Sequence, residues 1–208
     1  MIVLLWLAAF GVTFALDAPV AQLMRSTGIE HVVNESPWSE VAKAPGEFWL
    51  IAIVAVLLLF LHPWKWKGCA FYALCAIMSG VNGLAKWVTG RYRPFTIPTD
   101  RVALTDQPAP FYLEPFRGGL SGLFQQSNLA FPSGHACLAF ASAAALAILI
   151  PRASFVFYGA AVVVGLQRIA ENAHQCSDVV GAAALGIGGV KLIKWACDRL
   201  APASETST

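Results

Sequence analysis

Long apolar stretches recur along the chain and alternate with polar segments rich in Pro and Gly. Each stretch has about 16–20 residues, which is close to the length that a helix needs to cross a hydrocarbon core about 30 Å thick. The clearest one, from Phe48 to Leu61, contains no charged residue. The fourth and fifth stretches are separated by little more than Pro151-Arg152, which is typical of a short turn between antiparallel helices. The predicted spans are residues 2–16, 47–62, 68–86, 135–150, 153–171 and 178–197.

This pattern predicts an all-α fold, a six-transmembrane-helix bundle in which residues 1–208 form a single domain. The sixth span is rich in Gly and Ala, which favours close packing between helices in lipid. Two long polar segments lie outside the predicted spans. Residues 17–46 mix apolar and charged positions, which favours short helices on the membrane surface. Residues 87–134 are dense in Pro and Gly, and a loop of that length is usually functional or disordered.

The composition agrees with a membrane protein and excludes other classes. Hydrophobic residues make up 57% of the chain and charged residues 12%, against about 25% charged in a soluble globular domain. The mean hydropathy of +0.63 leaves too little polar sequence to cover a water-facing surface, and it also excludes disorder. The net charge is only +2 and no run of Lys and Arg occurs, so no nucleic-acid partner is expected.

The positions of Lys and Arg predict the orientation of the bundle. Short loops that stay in the cytoplasm carry an excess of these residues. With both termini cytoplasmic, the inner segments hold Lys65, Lys67, Arg152, Lys191, Lys194 and Arg199. We therefore expect a multi-pass protein of the cell membrane whose long polar segments face the periplasm or the exterior.

The first apolar stretch has an alternative interpretation as a secretory signal peptide, whose apolar region has about 7–15 residues. It lacks a basic start, and Phe14-Ala15-Leu16-Asp17 is a poor cleavage site for signal peptidase. These two features favour a retained helix over residues 2–16.

The first cluster of ionisable residues is Lys86 to Pro94, where the third span ends. Lys86 and Arg93 are seven positions apart, so both cations would lie on one side if the helix continued through them. Pro94 would then mark the helix boundary. The structural alternative is a membrane-edge anchor in which Lys and aromatic side chains reach the lipid headgroups.

The second cluster, Pro132-Ser133-Gly134-His135, opens the fourth span. A Ser-Gly turn at the start of a helix offers free backbone N–H groups and a favourable dipole, which suits a small anion. His135 stands where it could donate a proton to a leaving oxygen. The structural alternative is Ser133 as a helix N-cap beside an interfacial His.

The third cluster lies between the fifth and sixth spans and contains Arg168, His174 and Asp178. His174 and Asp178 are four positions apart, which lets the carboxylate hold one ring nitrogen while the other acts as a nucleophile. Arg168 adds a cation whose planar guanidinium suits phosphate. The structural alternative is Ser177 as the cap of the sixth helix, with Asp178 at the positive end of the helix dipole.

Together the three clusters supply three cations, an anion-binding turn and two imidazoles, which are the groups that phosphoryl transfer requires. Other phosphate chemistries do not fit the sequence. Gly80 to Lys86 lacks the Gly-Lys-Ser/Thr ending of a phosphate-binding loop. The sequence has no carboxylate cluster for a two-metal centre, and its five Cys form no Cys-x-x-Cys pair, so no metal site is expected.

The order Lys-x6-Arg-Pro (86–94), Pro-Ser-Gly-His (132–135) and Arg-x5-His-x3-Asp (168–178) resembles the three-part signature of the type-2 phosphatidic acid phosphatase and vanadium haloperoxidase superfamily. The resemblance covers about residues 68–190 and includes the six-span plan of its membrane lipid phosphatases. It implies that His174 is the nucleophile that forms a phosphohistidine, that Asp178 orients it, and that His135 is the general acid. The phosphate ligands that it implies are Lys86, Arg93, Ser133, Gly134 and Arg168.

By the same resemblance the site needs no metal or cofactor. Gln167 stands where the family usually has Ser, and because an amide can still donate a hydrogen bond, we expect it to be an accessory phosphate contact with altered affinity. The partners expected are a lipid phosphate and the bilayer.

The resulting hypothesis is an integral membrane phosphatase that hydrolyses a lipid phosphate monoester or diphosphate on the non-cytoplasmic face. The candidate lipids, by resemblance only, are polyprenyl diphosphate, phosphatidylglycerophosphate, phosphatidic acid and phosphorylated lipid A. Two alternatives remain open: a lipid phosphotransferase that uses the same His, and a non-catalytic protein that binds or transports lipid headgroups. A haloperoxidase is disfavoured because those relatives are typically soluble.

Overall fold

The computed structural model describes residues 1–61, 63, 65–94, 113–125 and 127–200. Within these ranges the chain is helical, and its only β pairing consists of two isolated bridges, Arg91 with Leu113 and Tyr92 with Leu129. The α-helices are α1 (Ile2–Thr27), α2 (Ile29–Glu35), α3 (Pro37–Lys43), α4 (Phe48–Leu61), α5 (Trp66–Cys75), α6 (Ile77–Thr89), α7 (Gly119–Gly122), α8 (Gly134–Leu149), α9 (Ser154–Ala170) and α10 (Cys176–Leu200). Short 3-10 turns, Ala44–Gly46 and Pro151–Ala153, precede α4 and α9. The predicted all-α class is confirmed.

The apolar helices make the chain a multi-pass membrane protein. In the described ranges four helical stretches are long and apolar enough to cross a bilayer: Val3–Thr27, Trp66–Thr89, Pro151–Ala170 and Cys176–Leu200. A fifth is formed if Pro37–Gly46 and Phe48–Phe60, which meet at a 55° bend, act as one broken span. These stretches are compatible with the six predicted spans. The remaining predicted span, 135–150, corresponds to α8.

Helix α8 lies in the centre of the bundle and is shorter than the four stretches that are long enough to cross a bilayer. Its 16 residues extend about 24 Å, which is less than the thickness of the hydrocarbon core. Most of its side chains are buried against α9 and α10, and α5 and α6 flank it. A helix enclosed by its neighbours does not need a lipid-facing surface over the full membrane thickness.

Close approach between α8 and α10 depends on small residues, as the sequence predicted. A Cβ atom added at Gly186 would lie 2.6 Å from the carbonyl oxygen of Cys137. The facing positions on α8 are mostly Ala, so the two backbones pack together without large side chains between them.

The polar segment 17–46 carries the end of α1 together with α2 and α3, so it contains the short helices that were expected there. α1 is longer than the predicted span 2–16 and continues to Thr27. α1 packs along α10, and α3 packs against α9. In the second polar segment, 87–134, residues 95–112 and 126 lie outside the described residues.

The helix of the first cluster ends before Arg93, so the condition for placing Lys86 and Arg93 on one helix face is not met. α6 ends at Thr89 because Gly90 adopts a left-handed conformation with φ +58°. A Cβ atom at Gly90 would lie 1.7 Å from the carbonyl oxygen of Glu114, so only Gly fits this turn. Arg93 therefore reaches the site from an extended segment whose backbone pairs with Asn128 and Leu129, not from the helix face.

Candidate active site

The three clusters meet at one end of the bundle, where α6 and α9 end and α8 and α10 begin. The backbone N–H of Ser133 donates to the carbonyl oxygen of Asp178 at 3.1 Å, which joins the second cluster to the third. Lys86 Nζ donates to the carbonyl oxygen of Leu129 at 3.1 Å and lies 3.9 Å from where a Cβ of Gly134 would stand. The side chain of Lys86 thus points toward the turn that opens α8.

His174 lies in the turn between α9 and α10 and is 2% exposed. Its Nδ1 is 3.5 Å from Asp178 Oδ2, an electrostatic contact in which no hydrogen bond is formed between the described atoms. Burial lowers the pKa of His174 well below its usual value, and the positive charges of Lys86, Arg93, Arg168 and His135 lower it further. The imidazole is therefore neutral at physiological pH, which is the form that can act as a nucleophile.

Three cations surround His174. Lys86 and Arg168 are each 5% exposed, and Arg93 is half-buried. Burial and the neighbouring charge of Arg168 lower the pKa of the Arg93 guanidinium. Because like charges held together away from water are costly, this arrangement favours the binding of an anion among them. The structural alternative, an anchor at the membrane edge, does not fit Lys86, which is buried and points inward.

The turn of the second cluster has an unused hydroxyl. Ser133 occupies the N-cap position of α8 and is fully buried, yet its Oγ makes neither a cap bond nor any other hydrogen bond with the described residues. A buried hydroxyl without a partner is unfavourable unless a ligand completes it. This observation supports the anion-binding interpretation over the simple helix cap.

His135, one position into α8, contacts a residue that the sequence did not single out. Its Nε2 lies 2.9 Å from Oε1 of Glu47, and both side chains are about one-third exposed. Glu47 lies directly before α4, and Gly46 beside it packs on the backbone of His135. Glu47 thus orients the ring that was predicted to be the general acid.

A second group missed by sequence reasoning is a buried network behind Asp178. Arg91 donates from Nη1 to Asp178 Oδ1 at 2.5 Å and from Nη2 to Asp17 Oδ2 at 2.8 Å. Ser177 donates to Asp17 through both its backbone N–H and its hydroxyl, so its hydroxyl does not cap α10. The available signal was Asp17 itself, an acid at the end of an apolar stretch, since such residues are functional candidates by default.

Gln167 donates from Nε2 to Ser39 Oγ at 2.7 Å and to Glu171 Oε2 at 3.0 Å. Glu171 also forms an ion pair with Nη1 of Arg168. The amide therefore holds a carboxylate against a cation, and the contact of Gln167 with phosphate stays a prediction.

Beside the cations lies a polar cavity of about 390 Å³. Its lining residues are Glu30, Asn34, Arg93, Arg168, Glu171, Asn172 and Ala173. A larger cavity of about 890 Å³ lies where α8 ends and α9 begins, but its lining is almost entirely apolar and Arg152 is its only charged residue among those described. The smaller cavity is the one that matches the chemistry, because it contains two of the predicted phosphate ligands.

Comparison with known proteins identifies the superfamily to which the chain belongs. The profile of the PAP2 superfamily matches residues 66–201, a range that contains all three clusters. The chain belongs to the PAP2 superfamily, which confirms the resemblance seen in the sequence. Within the described residues no group of three or more His, Cys, Asp or Glu could hold a metal ion, and the metal-free mechanism stays a prediction.

The curated relatives that match the chain are named as lipid phosphatases. The chain is 40% identical to a lipid A 1-phosphatase of Rhizobium johnstonii over 59% of its length and 44% of the relative. It is 30% identical to a lipid A 1-phosphatase of Rhizobium etli over 59% of its length and 47% of the relative. The chain thus spans about half the length of these curated relatives.

A solved structure shares the fold. The PAP2 type phosphatidylglycerolphosphate phosphatase from Bacillus subtilis aligns with a TM-score of 0.50 and 19% identity, covering 94% of this chain and 98% of that one. At this identity the likeness supports the helical architecture alone.

Proposed function

We propose that this protein is an integral membrane phosphatase that hydrolyses a lipid phosphate ester through a phosphohistidine intermediate. One observation carries the proposal: a buried, neutral His174 lies beside Asp178 and within the electrostatic field of Lys86, Arg93, Arg168 and His135. That arrangement presents a nucleophile to an anion held by cations, so the reacting atoms are brought together before reaction.

In the first step the three cations, the Ser133 hydroxyl and the backbone at Gly134 bind the phosphate oxygens. Nε2 of His174 attacks phosphorus, and the bond from phosphorus to the lipid oxygen breaks. His135 donates its proton to that oxygen, which leaves as an alcohol or, from a diphosphate, as a lipid phosphate. Asp178, whose Oδ2 lies 3.5 Å from Nδ1 of His174, moves within hydrogen-bond distance, accepts the Nδ1–H and stabilises the positive charge that develops on the ring.

In the second step water attacks the phosphorus of the phosphohistidine. His135, now neutral, takes the proton from this water, and the bond between phosphorus and Nε2 breaks. Inorganic phosphate leaves, and both imidazoles return to their starting protonation states. The sequence of steps needs no metal or cofactor.

The surroundings of the site favour a lipid substrate. An apolar crevice of about 330 Å³ between α3 and α9 reaches Gln167 and Ser39, next to Arg168. Its apolar lining residues are Val33, Trp38, Ala42, Val163, Leu166 and Ala170. An acyl or prenyl chain in this crevice would leave its phosphate at the cations. The name of the two curated relatives, lipid A 1-phosphatase, supports the same substrate class.

The site is proposed to lie on the non-cytoplasmic face of the cell membrane, with both termini cytoplasmic. The support for this orientation is the set of Lys and Arg in the short segments at the opposite end.

The test is phosphate release by the detergent-solubilised full chain from phosphatidic acid, phosphatidylglycerophosphate, polyprenyl diphosphate and lipid A, with and without chelator. We expect release from at least one lipid, unaffected by chelator and abolished in His174→Ala. His31→Ala, which removes an exposed His on α2, is the matched control and should retain full activity. Undiminished turnover by His174→Ala would refute the mechanism. Transfer of labelled phosphate to an acceptor lipid would instead identify a phosphotransferase.

A further inference from the structure

The polar cavity beside the site contains carboxylates as well as cations. Arg93 and Arg168 face it, and so do Glu30 and Glu171. A cavity devoted only to phosphate would gain nothing from acidic residues, because a carboxylate repels the phosphate dianion. Glu30 accepts a hydrogen bond from Nδ2 of Asn172 at 2.7 Å, which connects α2 to the turn before α10, so it is Glu171 that requires a separate explanation.

Glu171 occupies a donor that the proposed function assigns to phosphate. Its Oε2 forms an ion pair with Nη1 of Arg168 and accepts a second hydrogen bond from Gln167 at 3.0 Å. Arg168 is 5% exposed, and its Nε has no hydrogen-bond partner among the described residues. Since a guanidinium binds carboxylate and phosphate with the same fork of N–H donors, Glu171 stands where a phosphate oxygen would bind.

Gln167 explains why the carboxylate stays there. Its amide carries two N–H donors, one directed to Ser39 on α3 and the other to Glu171. These two hydrogen bonds connect the end of α9 to α3 and hold the Glu171 carboxylate on Arg168. A Ser at position 167 has a single, shorter donor and could not make both contacts.

We infer that Glu171 determines specificity: the substrate phosphate displaces its carboxylate from Arg168, and Glu171 and Glu30 then face the leaving group. This inference rests on the proposed function. Two carboxylates accept hydrogen bonds from a leaving group that carries hydroxyl or amino donors, and they repel a second phosphate. The preferred substrate is therefore a phosphate monoester on a donor-bearing lipid, and lipid diphosphates are disfavoured.

The same competition acts on the product. Inorganic phosphate must also displace Glu171 to stay on Arg168, so it binds weakly and leaves readily. This consequence can be measured without knowing the natural lipid.

The experiment compares wild type with Glu171→Gln, which keeps the shape and removes the charge, and with Glu171→Ala. The matched control is Glu35→Gln, which removes an equal charge from the exposed end of α2. Calorimetry gives the Kd of inorganic phosphate for the solubilised full chain. Steady-state kinetics gives kcat/KM for phosphatidic acid and for diacylglycerol diphosphate with the same acyl chains.

We expect both Glu171 variants to bind inorganic phosphate about tenfold more tightly. The ratio of kcat/KM for the diphosphate over the monoester should rise about fivefold or more. Only the diphosphate carries a second phosphate, so only the diphosphate is relieved of the repulsion between that phosphate and Glu171. Glu35→Gln should leave both quantities within about twofold of wild type. An unchanged Kd and an unchanged ratio in an enzyme that hydrolyses lipid phosphates would overturn this inference alone. If the protein binds inorganic phosphate but releases phosphate from none of the lipids, the proposed function is overturned.

Discussion

Arg91 donates a hydrogen bond of 2.5 Å to Oδ1 of Asp178, and Oδ2 of the same carboxylate faces His174 while it accepts a hydrogen bond from the backbone N–H of Gln175 at 2.8 Å. Arg91 is held in turn by Asp17 at 2.8 Å, and all three side chains are buried. The network therefore fixes the direction of the carboxylate that orients the proposed nucleophile. It also connects α1 to α10 through a residue that follows α6.

Replacing Arg91 tests this positioning role. Arg91→Lys keeps the charge but cannot bind Asp17 and Asp178 with one planar fork, so we expect kcat to fall about 10- to 100-fold with little change in KM. Arg91→Ala should also destabilise the fold by about 3–5 kcal/mol, because it leaves buried carboxylates without a partner. The measurements are steady-state kinetics and thermal unfolding in detergent. A Lys variant with wild-type kcat would show that Arg91 is only structural.

The double role of His135 predicts a trapped intermediate. His135→Ala should slow lipid hydrolysis about 10²- to 10⁴-fold, since both proton transfers lose their carrier. With p-nitrophenyl phosphate the leaving group needs no proton, so the first step proceeds and the phosphohistidine accumulates. Acid-labile, base-stable labelling of the variant with ³²P checks this expectation.

If the label appears equally in His135→Ala and in the doubly substituted chain that also carries His174→Ala, then His174 is not the phosphorylated residue. Labelling that depends on His174 agrees with the proposed order of steps.

Glu47 should matter for the same proton transfers. Glu47→Gln removes the charge next to His135 while preserving a hydrogen-bond acceptor. We expect kcat to fall about tenfold and the alkaline limb of its pH profile to move to lower pH, because the imidazolium loses a neighbouring carboxylate. Glu35→Gln, which breaks only an exposed pair with His31, is the control for the change in charge. Identical profiles for the two variants would contradict the role of Glu47.

The lowered pKa of His174 predicts how activity and stability depend on pH. The neutral imidazole is required for attack, so kcat/KM should fall only at pH values well below the ordinary His value of about 6.5. Below about pH 6.5 an unfolded chain binds a proton at this position that the folded chain does not bind, so folding stability decreases as the pH falls.

Thermal unfolding between pH 5 and 7.5 measures this effect. The Tm of wild type should fall with decreasing pH more steeply than the Tm of His174→Ala, which lacks the titrating group. Parallel curves for the two chains would show that His174 is not buried in its neutral form.

The contact between α8 and α10 predicts opposite effects at two neighbouring glycines. A Cβ at Gly186 would meet the Cys137 carbonyl oxygen at 2.6 Å, whereas a Cβ at Gly188 meets nothing within 4 Å. Gly186→Ala should destabilise the protein by about 1–3 kcal/mol, and Gly188→Ala should stabilise it by about 0.5–1 kcal/mol through the better helix propensity of Ala. Thermal unfolding of both variants checks the pair, and a common sign would contradict the packing described for α10.

Much of the fold can be predicted from short segments of the sequence. A helix that crosses or approaches lipid needs a continuous apolar stretch, so each predicted span falls on helical residues, although the span 68–86 is divided between α5 and α6. The groups of the site are local as well, since Ser133, Gly134 and His135 are adjacent and His174 and Asp178 are one helical turn apart. Glu171 was within reach too, because it follows Arg168 by three positions.

The tertiary structure decided the contacts that join distant segments. Asp17 and Arg91 are 74 positions apart, and Glu47 and His135 are 88 positions apart. Such pairs have no fixed spacing, because they form only after separate helices pack against each other. The same packing places the short helix α8 in the centre of the bundle. It also places Arg93 at the site on an extended segment, because α6 ends at Gly90. The lengths of the apolar stretches and the functional residues that are close in sequence can be read from the chain itself. The partners of a buried charge depend instead on how the helices are arranged around it.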